Sequence, residues 1–153
     1  MTTFAPPDPG FEERVRASFE RQRFMRTLGA RLVCVEPGLV EIELRQREEL
    51  TQQHGFLHAG ASASIADSAG GYAAYSLMPA GSSVLSIEFK VNLLAPGRGE
   101  RFLARGRVVR SGRRVSVCEI EVEAHSGGRI ERCLFGLQTL LRLPTPPGGA
   151  EVG

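Results

Sequence analysis

Between Leu50 and Ile87 the chain carries only one Asp, Glu, Lys or Arg, and that residue is Asp67. At the chain's charged fraction of 24%, a stretch of this length would hold about nine. Within it, residues 59–78 are almost wholly Ala, Ser and Gly, with Ile65, Tyr72, Tyr75 and Leu77 as larger exceptions. The segment has the length of a helix of about five turns. Side chains that are small all round let other backbone approach from every side, so the pattern predicts a helix wrapped by a sheet. Gly70-Gly71 at its middle fits close packing better than phosphate binding.

On both sides of this helix the apolar period falls to two. Residues 31–35 and 39–46 read as short strands joined at Pro37-Gly38, with Val40, Ile42 and Leu44 alternating with charged neighbours. After Ala80-Gly81 the strand signal returns four times. Leu85, Ile87, Phe89, Val91 and Leu93 alternate with Ser86, Glu88, Lys90 and Asn92. Residues 102–110 and 115–124 follow around a turn at Ser111-Gly112. Residues 130–143 come last, with Cys133, Phe135, Leu137, Thr139 and Leu141 expected on one face. Short links and strict alternation predict an antiparallel sheet. Residues 11–28 form an amphipathic pattern, with Phe11, Val15, Phe19 and Phe24 along one side and Gly29 as the stop. The class is therefore α+β: an antiparallel sheet around a long central helix, with an additional N-terminal helix. Residues 10–143 are expected to form one domain, flanked by loose Pro/Gly-rich tails at 1–9 and 144–153.

Composition removes several function classes. Nineteen basic residues against 17 acidic leave a formal charge of +2, which argues against a nucleic-acid partner. The basic set is nearly all Arg, with Lys90 the one lysine, as a GC-rich genome would give. No apolar run approaches the length of a membrane span. Glu12, Glu13, Arg14 and Arg16 stand where a signal peptide would need its apolar segment, so no secretion is expected. Cys34, Cys118 and Cys133 are odd in number and widely spaced, which fits neither a disulfide framework nor a metal site. The expectation is a cytoplasmic protein with no membrane partner and no metal.

Asp67 is then the residue to explain, because Asp is a poor interior helix former. Two readings stand: a buried carboxylate satisfied by hydroxyls such as Ser64 or Ser68, or a general base. The residues ahead of the helix, Thr51-Gln-Gln-His54-Gly55-Phe56-Leu57-His58-Ala59-Gly60, place polar groups and glycines where it begins. A helix start offers unpaired N–H groups, and aimed at a carbonyl these make an oxyanion hole. His58 reads either as a helix cap or as a substrate contact, and His54 as a loop residue.

With these residues in view, the chain resembles a hotdog-fold acyl-CoA thioesterase of the PaaI-like (phenylacetate-degradation) branch. That family's signature is a polar residue, then G-x-x-H-G-G, then an Asp or Glu nine positions after the histidine; Gly55, His58, Gly60 and Asp67 fall at those spacings. The segment from Ser86 to Pro96 matches its strand ending in L-x-P, and the segment from Gly106 to Arg114 matches its hairpin. Two departures stand out: H-G-G is H-A-G here, and Gln52 replaces the commoner Asn. A backbone donor survives the change to Ala59 only where φ is negative.

The resemblance implies hydrolysis of an aryl- or medium/long-chain acyl-CoA to free acid and coenzyme A, with no cofactor beyond the coenzyme A of the substrate. It implies that Asp67 activates the attacking water or attacks the thioester itself, and that Ser86 helps hold that water. The Ala59 N–H, at the turn with Gly60, would polarise the carbonyl with help from Gln52, while His58 orders the turn. Pocket walls are expected from Phe56, Leu57, Tyr72, Tyr75 and Met78. Arg110, Arg113 and Arg114 would either hold the coenzyme A phosphates or form a solvated charged turn. A homodimer, commonly a dimer of dimers, is implied, with Asp67 and Ser86 of one chain facing Gln52 and Ala59 of the next. Two alternatives stay open: a non-catalytic acyl-CoA sensor, and a hydratase or dehydratase on the same fold.

Overall fold

The computed structural model describes residues 4–144; positions 1–3 and 145–153, which held most of the C-terminal tail, lie outside the described residues. The chain runs through helices α1 (Phe11–Arg21) and α2 (Arg23–Leu28) and strands β1 (Arg31–Glu36) and β2 (Leu39–Arg45). Helix α3 (Ala59–Ser76) follows, then strands β3 (Ser82–Leu93), β4 (Arg101–Ser111), β5 (Val115–Ser126) and β6 (Arg129–Pro144). The strands form one antiparallel sheet in the order β1-β2-β4-β5-β6-β3. It curls around α3, which meets every strand. This is the hotdog architecture expected from the sequence.

Small side chains are what allow the wrap. Ala66, Ala69 and Ala73 are fully buried between helix and sheet. Gly106 of β4 lies so close to α3 that a Cβ there would overlap the backbone of Ala69 and Gly70. Around this axis Ile42, Leu44, Ile65, Phe102, Ile120 and Leu134 make the fully buried core.

Four sequence expectations need correction. The N-terminal helix is broken at Gln22, whose extended backbone (φ −71°, ψ 98°) separates α1 from α2. The break rotates Phe24 outward to 56% exposure and brings Met25 and Leu28 inward, and Gly29 then ends α2 in the left-handed region at φ 71°. The segment before α1 is anchored at Phe4 and Asp8 rather than loose throughout, while Ala5, Pro7 and Pro9 are exposed. Phe4 lies against the core beside Gly38, and the Asp8 carboxylate accepts from Arg14 Nε at 2.8 Å. In β3, a bulge at Ile87 splits the alternation, because Ser86 pairs with Leu140 and Glu88 with Thr139. Residues paired directly across strands share a face. Ser86 therefore points toward α3 with Leu140, while Leu85 points away. Beyond the bulge, Phe89, Val91 and Leu93 share the face of Gln138, Gly136 and Leu134.

The fourth correction concerns β6, whose helix-facing residues are Leu134, Gly136, Gln138 and Leu140. Phe135, Leu137, Thr139 and Leu141 point the other way. Counting bulky apolar side chains selects the wrong face, because the side against the helix includes Gly136 and Gln138, which such a count passes over.

Candidate active site

The inward turn of Ser86 at the bulge and of Gln138 on β6 brings both onto Asp67. Ser86 Oγ donates to Asp67 Oδ1 at 2.6 Å. Gln138 Nε2 approaches the same Oδ1 at 2.6 Å, the Asp67 main-chain oxygen at 3.1 Å and Ser86 Oγ at 2.8 Å. All side-chain bonds to the carboxylate converge on Oδ1, and Oδ2 has no partner among the described residues. The hydroxyls first considered for Asp67 are engaged elsewhere: Ser64 donates to the Gly60 carbonyl at 2.6 Å and Ser68 to Gln22 Oε1 at 3.3 Å.

Asp67 is half-buried, not sealed in, and lines a cavity of about 540 Å³ together with Ser86, Tyr72, Tyr75, Leu85 and Leu140. Ser18 and Arg21 of α1 and Gln22 at the break after it also line this cavity. Arg14 docks α1 there: its guanidinium donates to the Met78 carbonyl at 2.8 Å and stacks 4.2 Å over the Tyr75 ring. Phe19 meets Tyr72 edge-on at 5.9 Å. Met78, expected in the wall, is instead buried in the core.

At the start of α3, His58 is the N-cap, and its Nδ1 accepts from the Gly60 N–H at 2.8 Å. An accepting Nδ1 carries no proton, so the ring proton sits on Nε2. The Ala59 N–H is the first of the helix and has no partner among the described residues. No described non-glycine residue has positive φ, so Ala59 meets the condition for a backbone donor in place of glycine. Gln52 opens the loop that leads here: its N–H donates to the Phe56 carbonyl at 2.9 Å, and its side-chain oxygen accepts from the His54 N–H. Gln52, Phe56, Leu57 and Ala59 line a second cavity of about 440 Å³. The Arg98 guanidinium stacks on Phe56 at 4.5 Å.

The two cavities share no lining residue. Within one chain the structure brings Asp67, Ser86, Tyr72 and Tyr75 together, and Gln52, Phe56, Leu57 and Ala59 together, and keeps the two sets apart. Arg110, Arg113 and Arg114 are exposed at the tip of the β4–β5 hairpin and line neither cavity. The buried thiols are no nucleophiles: burial pushes Cys118 up to about 12 and Cys133 up to about 11.

Gln138 escaped the sequence reading altogether. Its signal was present: an amide at two-residue spacing between Gly136 and Leu140, on a strand whose other inward residues are apolar.

The model of the family described as Thioesterase superfamily matches residues 54–131. A crystal structure of a thioesterase family protein from Silicibacter pomeroyi is 46% identical and superposes with a TM-score of 0.87, covering 88% of this chain and 99% of that one. The 1,4-dihydroxy-2-naphthoyl-CoA hydrolase of Listeria monocytogenes is 28% identical over 114 residues, 73% of this chain and 93% of its own. The PaaI protein of the E. coli phenylacetic acid degradation operon shares the fold, with a TM-score of 0.78 at 19% identity over 88% of this chain and 94% of its own.

Proposed function

The chain belongs to the thioesterase superfamily, and from that premise we propose that it hydrolyses an acyl-CoA thioester to free acid and coenzyme A. The observation that carries this reading is the Asp67 carboxylate, held through one oxygen by Ser86 and Gln138 on the wall of a cavity with aromatic and aliphatic sides. A carboxylate so held can take a proton from water as the water oxygen bonds to the thioester carbon. The negative charge then develops on the carbonyl oxygen, where the Ala59 N–H and the dipole of α3 stabilise it. Collapse of the tetrahedral intermediate breaks the carbon–sulfur bond, expels the coenzyme A thiolate and leaves the acid. No cofactor is needed.

These steps require Asp67 and Ala59 at one substrate, yet one chain holds them in separate cavities. The missing half is supplied by a second copy. Strand β3 is an edge of the sheet, with Leu85, Ile87, Phe89 and Leu93 each between 44% and 60% exposed. An open apolar edge of this kind favours pairing with another chain. In the proposed homodimer, and in a dimer of dimers built from it, Asp67 and Ser86 of one chain face Gln52 and Ala59 of the next. Tyr72, Tyr75 and Leu140 around Asp67 suit an aryl or medium-chain acyl group. Among the described residues, no helix is long and apolar enough to cross a membrane.

The test is thiol release from aryl, short, medium and long acyl-CoAs, with wild type beside Asp67→Ala. Wild type is expected to release thiol, and the variant to lose roughly 10²–10⁴-fold in rate. Wild type that binds acyl-CoA without releasing thiol would make the protein a sensor.

A further inference from the structure

We propose that Gln138 is a positioning residue for the hydrolysis, holding Asp67 and Ser86 so that only Asp67 Oδ2 is left to act on water. This rests on the function proposed above. Gln138 is 1% exposed, on the face of β6 that packs against α3. Its Nε2 has two hydrogens and three oxygens within reach: Asp67 Oδ1 at 2.6 Å, Ser86 Oγ at 2.8 Å and the Asp67 main-chain oxygen at 3.1 Å. These acceptors fix the amide's orientation, since flipping it would turn Oε1 onto a carboxylate. Ser86 Oγ accepts from Gln138 and donates to Asp67, so the three side chains form a closed ring of hydrogen bonds on one carboxylate oxygen.

The arrangement is costly to stability, which argues that it does more than fill space. Gln138 Oε1 is buried and has no hydrogen-bond partner among the described residues, a penalty that Met or Leu at this position would avoid. It also leans on Gly70, where a Cβ would overlap Gln138 Oε1, in addition to lying 2.6 Å from Ile120 Cγ2. The orphaned acceptor is tolerated, and the amide's donors are its visible return.

The experiment compares wild type, Gln138→Met and Gln138→Glu, by thermal unfolding, by steady-state thiol release from the best acyl-CoA of the panel, and by crystallography. Gln138→Met keeps the volume and removes the donors. Its Tm is expected to equal or exceed wild type, with kcat down about 10–100-fold as the carboxylate loses its aim and KM changed less than about threefold. Gln138→Glu substitutes a carboxyl that donates only when protonated, so its kcat relative to wild type should be higher at pH 6 than at pH 8. A purely structural Gln138 would move Tm and leave kcat and its pH profile alone, which overturns the proposal. If wild type releases no thiol from any acyl-CoA, the function reading fails on its own. The crystal structures then decide: Asp67 displaced in Gln138→Met supports the positioning role, and Asp67 unmoved refutes it.

Discussion

The two halves of the proposed site are built from different materials. Around Asp67, side chains from β3 and β6 converge on one oxygen of the α3 carboxylate, and the cluster depends on backbone features elsewhere: the bulge at Ile87, the missing Cβ of Gly70, the inward face of β6. At the start of α3 the useful group is a main-chain N–H, placed by the cap geometry of His58 and independent of the Ala59 side chain. The difference teaches where sequence change can be absorbed. The carboxylate half needs its residue types, and Asp67 and Ser86 match the family pattern. On the proposed function the backbone half needs only a dihedral angle, which Ala59 meets without glycine.

The sharpest way to break this comparison is to remove the backbone donor without touching the fold. Proline lacks an N–H and is tolerated at the first helical position, and His58 before it already has the extended backbone that precedes proline (φ −63°, ψ 136°). Ala59→Pro should therefore keep a Tm near wild type while thiol release falls about 10²–10³-fold. Ala59→Gly should stay within a few-fold of wild type. Thiol release that survives the proline would place the oxyanion donor elsewhere, and the two halves would no longer divide as described.

A smaller effect tests the dependence of the carboxylate half on space. Gly70→Ala drives a methyl into Gln138 and Ile120, an overpacking that costs about 1–3 kcal/mol against a gain of up to about 1 kcal/mol in helix propensity. Denaturant unfolding of Gly70→Ala, Gln138→Ala and the double variant should show coupling of about 0.5–3 kcal/mol, with the double variant more stable than additivity predicts. Additive losses would mean that Gly70 serves the packing of α3 alone.

The same contrast explains what the sequence could disclose. The charge-free run around Asp67 and the small residues of 59–78 declared a wrapped helix and a lone carboxylate, because both are matters of composition along a contiguous segment. The succession of helices and strands along the chain followed from period and turn residues, and α3 ends two residues short of the expected 59–78. Three things were hidden. The break at Gln22 lies in a pattern that reads as continuous helix. The bulge at Ile87 reverses which residues face α3, and alternation counts cannot see a one-residue slip. Gln138 lies 71 residues from Asp67, so its role exists only once the sheet has closed.

The smallest effect separates cap from contact at His58. Its Nδ1 accepts from the Gly60 N–H, a bond that Asn or Asp also supplies from an N-cap and Ala does not. His58→Ala should lose about 0.5–2 kcal/mol in denaturant unfolding, with a modest fall in thiol release as the Ala59 N–H loosens. His58→Asn should recover both. If His58 instead meets the substrate through Nε2, the Asn variant would regain stability and stay slow. Stability and rate that return together would assign the histidine wholly to the geometry of the turn, and leave the first N–H of α3 as the chemistry of that half.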